Sequence, residues 1–314
     1  MSDRLIIYDL ETASVYGLSK VDDRIVVCDF RNSELRSLEI NTKTHEMSLQ
    51  MNDQESEVEC EDVCLDLDTD GRRWEGGVKD GLLCGYGCLY NSEGRVVYQG
   101  YMMNGKKICY GKEFSDDINQ VKYSGSFLNG KRFGPGILYN RNGGIEYDGL
   151  WRDDKPRSAE FDGRFIDNYN ETVVIADNSF NSPEQLMLTS FFSNLRQFTI
   201  GSDCFEKAEN FYLDGLHKLE HLVIGRRSFT LTKNRDIIFF CHKRAGVFQV
   251  KNCSKLKTIQ IGAFSFGDYH MFDLDNLPSL QSVHIGDFSF FETFDTVFTG
   301  KCIGGNIFHR SSST

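Results

Sequence analysis

Aromatic and glycine residues recur at a regular interval in the middle of the chain. From Trp74, three copies of 24 or 25 residues read WEGGVKDGLLCGYGCLYNSEGRVV, YQGYMMNGKKICYGKEFSDDINQVK and YSGSFLNGKRFGPGILYNRNGGIE, and a shortened copy starts at Tyr147. Alternation along a strand puts Tyr123, Gly125 and Phe127 on one face. Asn129-Gly130 then supplies the residues that a tight hairpin turn requires. The pattern therefore predicts two antiparallel strands per copy.

An isolated two-stranded hairpin is marginally stable in water, so we expect the copies to stack. Glycine allows an aromatic ring to approach the neighbouring backbone closely. The pattern Y-x-G-x-W/F-x-x-G-x-x-x-G-x-G of MORN repeats is matched by Tyr123, Gly125, Phe127, Gly130, Gly134 and Gly136. Residues 72–169 thus resemble a MORN-repeat array, which implies a curved ribbon of stacked hairpins. Cys109 departs from the motif, and we expect a local bulge there.

A different repeat follows in residues 170–300. Its clear copies are LRQFTIGSDCF, LEHLVIGRRSF, LKTIQIGAFSF and LQSVHIGDFSF, which begin at Leu195, Leu219, Leu256 and Leu280, and a weaker copy begins at Glu171. The steps between clear copies are 24, 37 and 24 residues, which indicates an insertion that we place at Thr230 to His242. Alternating apolar residues predict a strand, and the glycine after them predicts a turn that directs Ser-Phe inward. Stacking then predicts a parallel sheet with internal Phe ladders.

The I-G-x-x-S-F ending resembles the short leucine-rich repeats found in bacterial surface proteins and in single-celled eukaryotes. The resemblance covers Glu171 to Phe290 and implies a solenoid. We therefore expect a mainly β chain, with a MORN-type stacked β-hairpin ribbon followed by a leucine-rich-repeat-like solenoid. Residues 1–52 are interpreted as a short N-terminal β-hairpin region, 53–71 as an acidic linker and 301–314 as a tail.

Charge is distributed in blocks along the chain. The net charge of −11 divides into −12 for residues 1–71, +4 for residues 72–157 and −3 for residues 158–314. A nucleic-acid partner is not expected, because such proteins carry a clearly basic face. No apolar run is long enough for a membrane span, and we expect no secretory leader. We expect a cytoplasmic chain with reduced cysteines.

Two local motifs suggest metal ligands. Asp66, Asp68 and Asp70-Gly71 have the spacing of an EF-hand calcium loop, but Gly77 stands where that loop has its bidentate Glu. A turn joined to an acidic linker is the alternative that we favour. Cys60, Cys64, Cys84 and Cys88 offer four thiolates for zinc. Cys84 and Cys88 occupy the repeat positions of Phe133 and Ile137, which favours a role in the hairpin core instead. We predict no metal and no cofactor.

No recognisable set of nucleophile, acid and base is present. Cys241 and His242 are adjacent in the insertion, but neighbouring side chains on a strand point to opposite faces. The paired glycines of the ribbon copies lack the helix whose N-terminus binds a phosphate group. We therefore expect no enzymatic activity and no small-molecule substrate.

Two binding hypotheses remain. Stacked repeats present one exposed side chain per copy at each strand position, which suits a scaffold for an unidentified protein partner. The predicted contact face comprises Arg196, Thr199, Glu220, Val223, Lys257, Gln260, Gln281 and His284. The alternative follows from the MORN resemblance, which implies attachment to anionic phospholipid or to the cytoskeleton. Its residues are Lys106, Lys107, Lys131 and Arg132, and four cations give only marginal binding to a membrane surface.

Overall fold

The computed structural model describes residues 4–310, except for 22, 32–33, 52–53, 159, 231–245, 291–294 and 300–307. These residues are mainly β, and their one helix is a 3-10 turn at Ser190–Phe192. The chain divides into two compact units, which are described separately below. The first consists of Met1–Ile6 and Val15–Arg157, and the second consists of Ile7–Ser14 and Ser158–Thr314.

The first unit begins with an antiparallel meander. Its strands, numbered in chain order, are β1 (Arg4–Asp9, shared with the second unit), β2 (Ser14–Val21), β3 (Arg24–Arg31), β4 (Glu34–Asn41), β5 (Met47–Met51) and β6 (Gln54–Glu57). Strands β2 to β6 pair in sequential order. Alternate residues such as Ile25, Val27, Leu38 and Ile40 are buried. The hairpins predicted at the N-terminus are thus one continuous meander, which extends into the segment interpreted as a linker.

A nine-stranded antiparallel sheet forms the rest of this unit, and we call it the ribbon. Its strands are β7 (Glu61–Asp66), β8 (Arg73–Lys79), β9 (Leu82–Tyr90), β10 (Val96–Met103), β11 (Lys106–Phe114), β12 (Val121–Leu128), β13 (Lys131–Tyr139), β14 (Ile145–Arg152) and β15 (Lys155–Pro156). They pair strictly in chain order. The predicted pair of strands per copy is confirmed. Residues 53–71 differ from a linker because they contain β6 and β7.

The repeated aromatic residues form one cluster along the ribbon. Trp74, Tyr98, Tyr123 and Trp151 are buried, and Tyr147 packs against them. Tyr98 and Tyr123 each meet Phe127 edge to face, and the centroids of Tyr123 and Trp151 are 5.2 Å apart in the same arrangement. Aromatic pairs prefer this geometry. A Cβ at Gly111 would lie 2.6 Å from the Tyr98 hydroxyl, so glycine is required where the ring crosses the strand. The predicted alignment of aromatic residues and glycines is confirmed.

The bulge expected in the second copy is present, and the other two hairpins have equivalent bulges. The register shifts between Gly100 and Tyr101, and similar shifts occur between β8 and β9 and between β12 and β13. Gly85 and Gly134 have φ angles of 78° and 82°, and Cys109 at the same repeat position has 63°. The bulge is therefore a property of the repeat, and Cys109 adopts a left-handed conformation that glycine reaches without strain.

A ring contact joins the meander to the ribbon within the first unit. His45, in the turn between β4 and β5, stacks on Tyr86 with centroids 4.2 Å apart. Its Nδ1 lies 2.6 Å from the hydroxyl of Tyr101. Tyr86 and Tyr101 lie on the ribbon face opposite the aromatic cluster, so each face of the ribbon packs against side chains. This contact has no counterpart in the repeat motif.

The second unit contains a β-solenoid of about four turns. Its six-stranded parallel sheet consists of β17 (Thr172–Ile175), β19 (Gln197–Ile200), β21 (His221–Ile224), β23 (Thr258–Ile261), β25 (Ser282–Ile285) and β27 (Phe308–Arg310). A second, five-stranded parallel sheet consists of β18 (Gln185–Leu188), β20 (Asn210–Asp214), β22 (Gly246–Lys251), β24 (Tyr269–Asp275) and β26 (Asp295–Thr299). The predicted parallel sheet is confirmed, and the second sheet was not predicted.

Two stacks of Phe rings fill the solenoid. Phe205, Phe229, Phe266 and Phe290 stack with centroids 5.0, 4.7 and 4.9 Å apart. Phe211, Phe248 and Phe272 form a second stack with separations of 4.8 and 4.9 Å. Rings of the two stacks meet edge to face, as Phe211 and Phe229 do. The predicted internal ladders are confirmed, and they occur as a crossed pair.

Buried serines connect successive turns. Ser228, Ser265 and Ser289 precede the Phe of each ending and are at most 1% exposed. The hydroxyl of Ser265 donates to the Gly225 carbonyl at 2.8 Å and accepts from the Ser228 amide at 3.2 Å. Such a ladder satisfies buried backbone groups that would otherwise lack partners.

Residues of β1 and of β16 (Phe165–Asp167) close the first turn. The two strands pair antiparallel. The Tyr8 hydroxyl donates to the carbonyl of Gln185 at 3.1 Å and accepts from the amide of Met187 at 3.3 Å. It thus provides hydrogen-bond partners for two backbone groups of the edge strand β18. At the far end, Phe308–Arg310 of the predicted tail pair with β25. Residues 301–307 and 311–314 lie outside the described residues, as do residues 231–245, which hold most of the predicted insertion.

Candidate interaction surface

The outer face of the six-stranded sheet brings four predicted contact residues into one row. Thr199, Val223, Gln260 and His284 pair directly across neighbouring strands. Val174 precedes them in the same register and is 57% exposed. Adjacent strands are about 4.8 Å apart, so the row presents side chains at a regular short interval. Sequence spacing identified this row but omitted Val174, because its copy is the weakest.

The other four predicted residues form a second row, one position before each strand. They are Arg196, Glu220, Lys257 and Gln281. Arg196 contacts Glu220 at 3.4 Å and Glu171 at 3.4 Å, and Lys257 is paired with the other oxygen of Glu220. The hydrogen bond and charge of Lys257 hold the pKa of Glu220 below its usual range. Charges in this row are thus largely compensated within the chain.

Two of the four predicted lipid-binding cations lie against the ribbon core. Lys107 and Arg132 both donate to Glu113, and Arg132 does so through Nε at 3.0 Å and Nη2 at 2.7 Å. Lys107 lies 4.9 Å from the centre of the Tyr98 ring, and Arg132 lies 4.6 Å from that of Tyr123. Both cations therefore contribute ion pairs and cation–π contacts to the repeat.

The other two cations are at the tips of hairpins. Lys131 is paired with Asp153 of the next hairpin. Lys106 has no ion pair among the residues that the structure describes. These positions place the four cations at equivalent points of neighbouring copies, as the sequence predicts, but three of them already have an acidic partner.

The acidic motif around Asp68 forms a turn between β7 and β8. A carboxylate oxygen of Asp68 accepts hydrogen bonds from the amides of Asp70 at 3.1 Å and Arg72 at 3.0 Å. The same side chain pairs with the Arg72 guanidinium at 3.7 Å. Asp66 is the last residue of β7. The carboxylate of Asp68 thus stabilises this turn, as the turn interpretation predicts.

The four cysteines considered for zinc have different surroundings. Cys84 is buried, Cys60 and Cys88 are partly buried and Cys64 is exposed. Burial, followed by a hydrogen bond with Cys60, raises the pKa of the Cys84 thiol to about 12, so this thiol is protonated at neutral pH. Within the described ranges, no group of three or more His, Cys, Asp or Glu residues is arranged to hold a metal. Cys241 and His242 lie outside those ranges.

A cavity that sequence reasoning missed lies beside β6. It has a volume of about 310 Å³, and five carboxylates contribute to its lining, those of Glu39, Glu46, Glu55, Glu57 and Glu59. Arg24 also lines it and is paired with Glu39 at 3.1 Å. The cavity forms where β6 runs along the edge of the meander. The alternation of Glu55, Glu57 and Glu59 in the sequence was the available signal.

Comparison with models of known protein families gave no match, and comparison with curated proteins gave none. Among the described residues, no helix has the length and apolar character that crossing a bilayer requires. The function is therefore inferred from the surfaces described above.

Proposed function

We propose that the protein is a non-catalytic scaffold that binds another protein through the outer face of its six-stranded parallel sheet. The observation that carries this proposal is the alignment of Thr199, Val223, Gln260 and His284 in one row across four hydrogen-bonded strands. The row combines apolar, hydroxyl, amide and imidazole groups on a rigid support. Such a mixed surface suits a partner that binds by shape and hydrogen bonding.

The identity of the two arrays is part of the proposal. The aromatic and glycine contacts of the ribbon support a MORN-type array. The I-G-x-x-S-F turns support a variant of the short leucine-rich repeat. In this solenoid, a five-stranded parallel sheet accompanies the six-stranded one, and the described turns contain no α-helix. Both assignments favour a binding role, since stacked repeats present long regular surfaces.

The compensated charges beside the row predict how binding of the partner depends on salt. Arg196 and Lys257 flank Glu220 and neutralise it. Long-range electrostatic steering requires an uncompensated field, so we expect association that depends weakly on salt. Exchanging the charges in Glu220→Lys with Lys257→Glu keeps the pair between these two positions and reverses the pattern that a partner meets. Arg196 loses its contact at position 220 and keeps the one with Glu171. This double variant is therefore expected to lose the partner while it keeps the pair between positions 220 and 257.

The experiment compares proteins captured from native cells by the full chain and by two matched variants. Val223→Arg places a bulky charge in the middle of the row. Asn210→Arg places the same charge on an exposed position of the other sheet. We expect capture to be lost with Val223→Arg and retained with Asn210→Arg. Equal capture by all three chains, or equal loss with both variants, contradicts the proposed face.

The membrane alternative receives less support. Three of its four cations pair with Glu113 or Asp153, and these acidic partners reduce attraction to an anionic leaflet. A flotation assay with phosphatidylserine vesicles separates the two functions. Lys106 is the cation without an ion pair in the described part of the chain, so Lys106→Glu is the informative variant. Salt-sensitive flotation that this variant abolishes would favour the membrane role.

A further inference from the structure

Among the residues that the structure describes, strand β7 is an edge of the ribbon with no strand paired to its outer side. It pairs with β8 on one side and is the last strand in the order of its sheet. Five of its six residues are exposed, whereas every second or third residue of β8, β10 and β12 is buried. Unpaired backbone groups on an exposed edge are a template for another strand. Within the described part of the chain, this edge is therefore available for strand addition.

The outward backbone groups of β7 can be assigned from its hydrogen bonds. The amide of Leu67 donates to the carbonyl of Arg72 at 2.8 Å, immediately beyond the end of β7. In an antiparallel pair, residues alternate between those bonded to the neighbour and those directed away from it. Asp62, Cys64 and Asp66 consequently direct their N–H and C=O groups away from β8. They provide three donors and three acceptors for an added strand.

The two faces of β7 differ in chemistry. Val63 and Leu65 alternate along the face that bears the aromatic cluster, where Leu65 pairs with Trp74 and Val63 with Gly76. Leu67 continues this row, and Val63 and Leu67 are among the exposed large apolar residues of the chain, at 37% and 38%. Asp62, Cys64 and Asp66 occupy the opposite face. The edge thus has an apolar row and an acidic row.

Charge restricts which strand can bind. Residues 54–70 contain eight acidic and no basic residues. Within the described part of the chain, none of Glu61, Asp62 and Asp66 forms an ion pair. Like charges placed opposite each other destabilise a strand pair, which disfavours a second copy of this chain. The same carboxylates repel nucleic acid and anionic membranes.

We propose that the β7 edge binds an extended peptide segment in which Lys or Arg alternates with apolar residues, by adding it to the ribbon as a tenth strand. Backbone bonds to Asp62, Cys64 and Asp66 supply the pairing. The peptide's cations lie over the acidic row, and its apolar residues continue the row of Val63, Leu65 and Leu67. Strand addition at a sheet edge is an established mode of peptide recognition. This site belongs to the first unit, and the proposed face of the solenoid belongs to the second.

The test uses a fluorescent peptide of alternating Lys and Val, about eight residues long to span the strand. Fluorescence anisotropy measures its binding to the full chain. Three control peptides alternate Glu with Val, carry the Lys and Val residues in separate blocks, or carry N-methyl groups on alternate amides. We expect the Lys-Val peptide to bind, with affinity that falls as salt rises, and each control to bind at least about tenfold more weakly. No binding, or equal binding of the Glu-Val peptide, overturns the proposal.

Variants at Cys64 test the edge itself. Cys64→Pro removes an outward N–H while the bonds to β8 remain, since proline is tolerated on edge strands. Cys64→Val retains that N–H and is the matched control. We expect Cys64→Pro to weaken binding about tenfold relative to Cys64→Val. Equal affinities contradict strand addition. If Cys64→Pro lowers the melting temperature, its effect on binding cannot be separated from an effect on the fold. The double variant Asp62→Asn with Asp66→Asn then provides the second test. We expect it to bind the Lys-Val peptide more weakly and with a smaller dependence on salt.

Discussion

The hydroxyl of Tyr123 donates a hydrogen bond to the backbone oxygen of Ser126 at 3.0 Å. Tyr98 and Tyr147 make the same bond three residues ahead, each at 2.9 Å, and the indole of Trp74 donates to Gly77 at 3.0 Å. The polar atom of each ring is thus hydrogen-bonded to the backbone of the strand that carries the ring. Because this hydrogen bond satisfies the polar atom, burying the ring does not leave an unpaired polar group in the core.

The pair of Tyr123 and Gly136 tests this arrangement. Tyr123→Phe removes one buried hydrogen bond and should lower the free energy of unfolding by about 1 kcal/mol. Gly136→Ala should cost more, because its Cβ would lie 2.5 Å from Cζ of Tyr123 and overlap the hydroxyl. The double variant should lose less than the sum of the two, since removing the hydroxyl relieves part of the overlap. Both tryptophans lie in the ribbon, so tryptophan fluorescence during urea unfolding reports this unit.

Tyr110→Phe is the matched control for that measurement. Tyr110 is 39% exposed, and its hydroxyl contacts Ser124 at 2.6 Å on the ribbon surface. Loss of an exposed hydrogen bond is compensated by water, so we expect a change within about 0.5 kcal/mol. Strict additivity of Tyr123→Phe and Gly136→Ala would show that the ring and the glycine are not coupled as proposed.

The serine ladder gives a prediction for the solenoid. Ser265→Ala leaves the Ser228 amide and the Gly225 carbonyl without their hydroxyl partner, which should cost about 1 to 3 kcal/mol. Hydrogen exchange at the Ser228 amide should accelerate, because its acceptor is removed. Ser282→Ala, on the outer face of the sheet, is the control and should leave both quantities unchanged. Unchanged protection of Ser228 in the Ser265→Ala variant would contradict the ladder.

The Phe stacks should carry much of the solenoid's stability. Phe229 is fully buried between Phe205 and Phe266. Phe229→Ala removes two stacked contacts and leaves a cavity, so we expect a loss of about 3 to 5 kcal/mol. Phe191, which is 38% exposed, provides the control substitution Phe191→Ala with a much smaller expected loss. Circular dichroism during thermal unfolding gives the melting temperatures of both variants. Equal decreases in melting temperature for Phe229→Ala and Phe191→Ala would contradict a major contribution of the stack to stability.

Repetition made much of this fold predictable. The recurrence of Tyr123 and Gly125 predicts the hairpins, and the recurrence of Ile224 and Phe229 predicts the stacked turns. The second solenoid sheet was missed, although Phe211 and Leu213 alternate as strand residues do, because only three copies show that half clearly. The open edge at β7 was interpreted as a linker because its acidic residues hide the alternation of Val63 and Leu65. The stacking of His45 on Tyr86 joins the meander to the ribbon. The meander has no repeat in common with the ribbon, so no sequence period predicts this contact.

The ion pairs of Glu113 predict how the stability of the ribbon depends on pH. Burial alone would raise the pKa of Glu113, but hydrogen bonds and charges from Lys107 and Arg132 outweigh it and hold the pKa below its usual range. Because the folded state lowers this pKa, the stabilisation is fully present above the unfolded value of about 4.3 and is lost as pH falls through the lower folded value.

Glu113→Gln is therefore expected to be less stable than the parent chain at neutral pH, by about 1 to 3 kcal/mol. The difference between the two chains should shrink as pH falls below about 4, since the parent then loses the same charge. Glu93→Gln, at an exposed pair with Arg95, serves as the control and should show little difference at any pH. Urea unfolding at several pH values, followed by tryptophan fluorescence, provides the measurement. A difference for Glu113→Gln that stays constant across this range would mean that the carboxylate charge does not stabilise the ribbon.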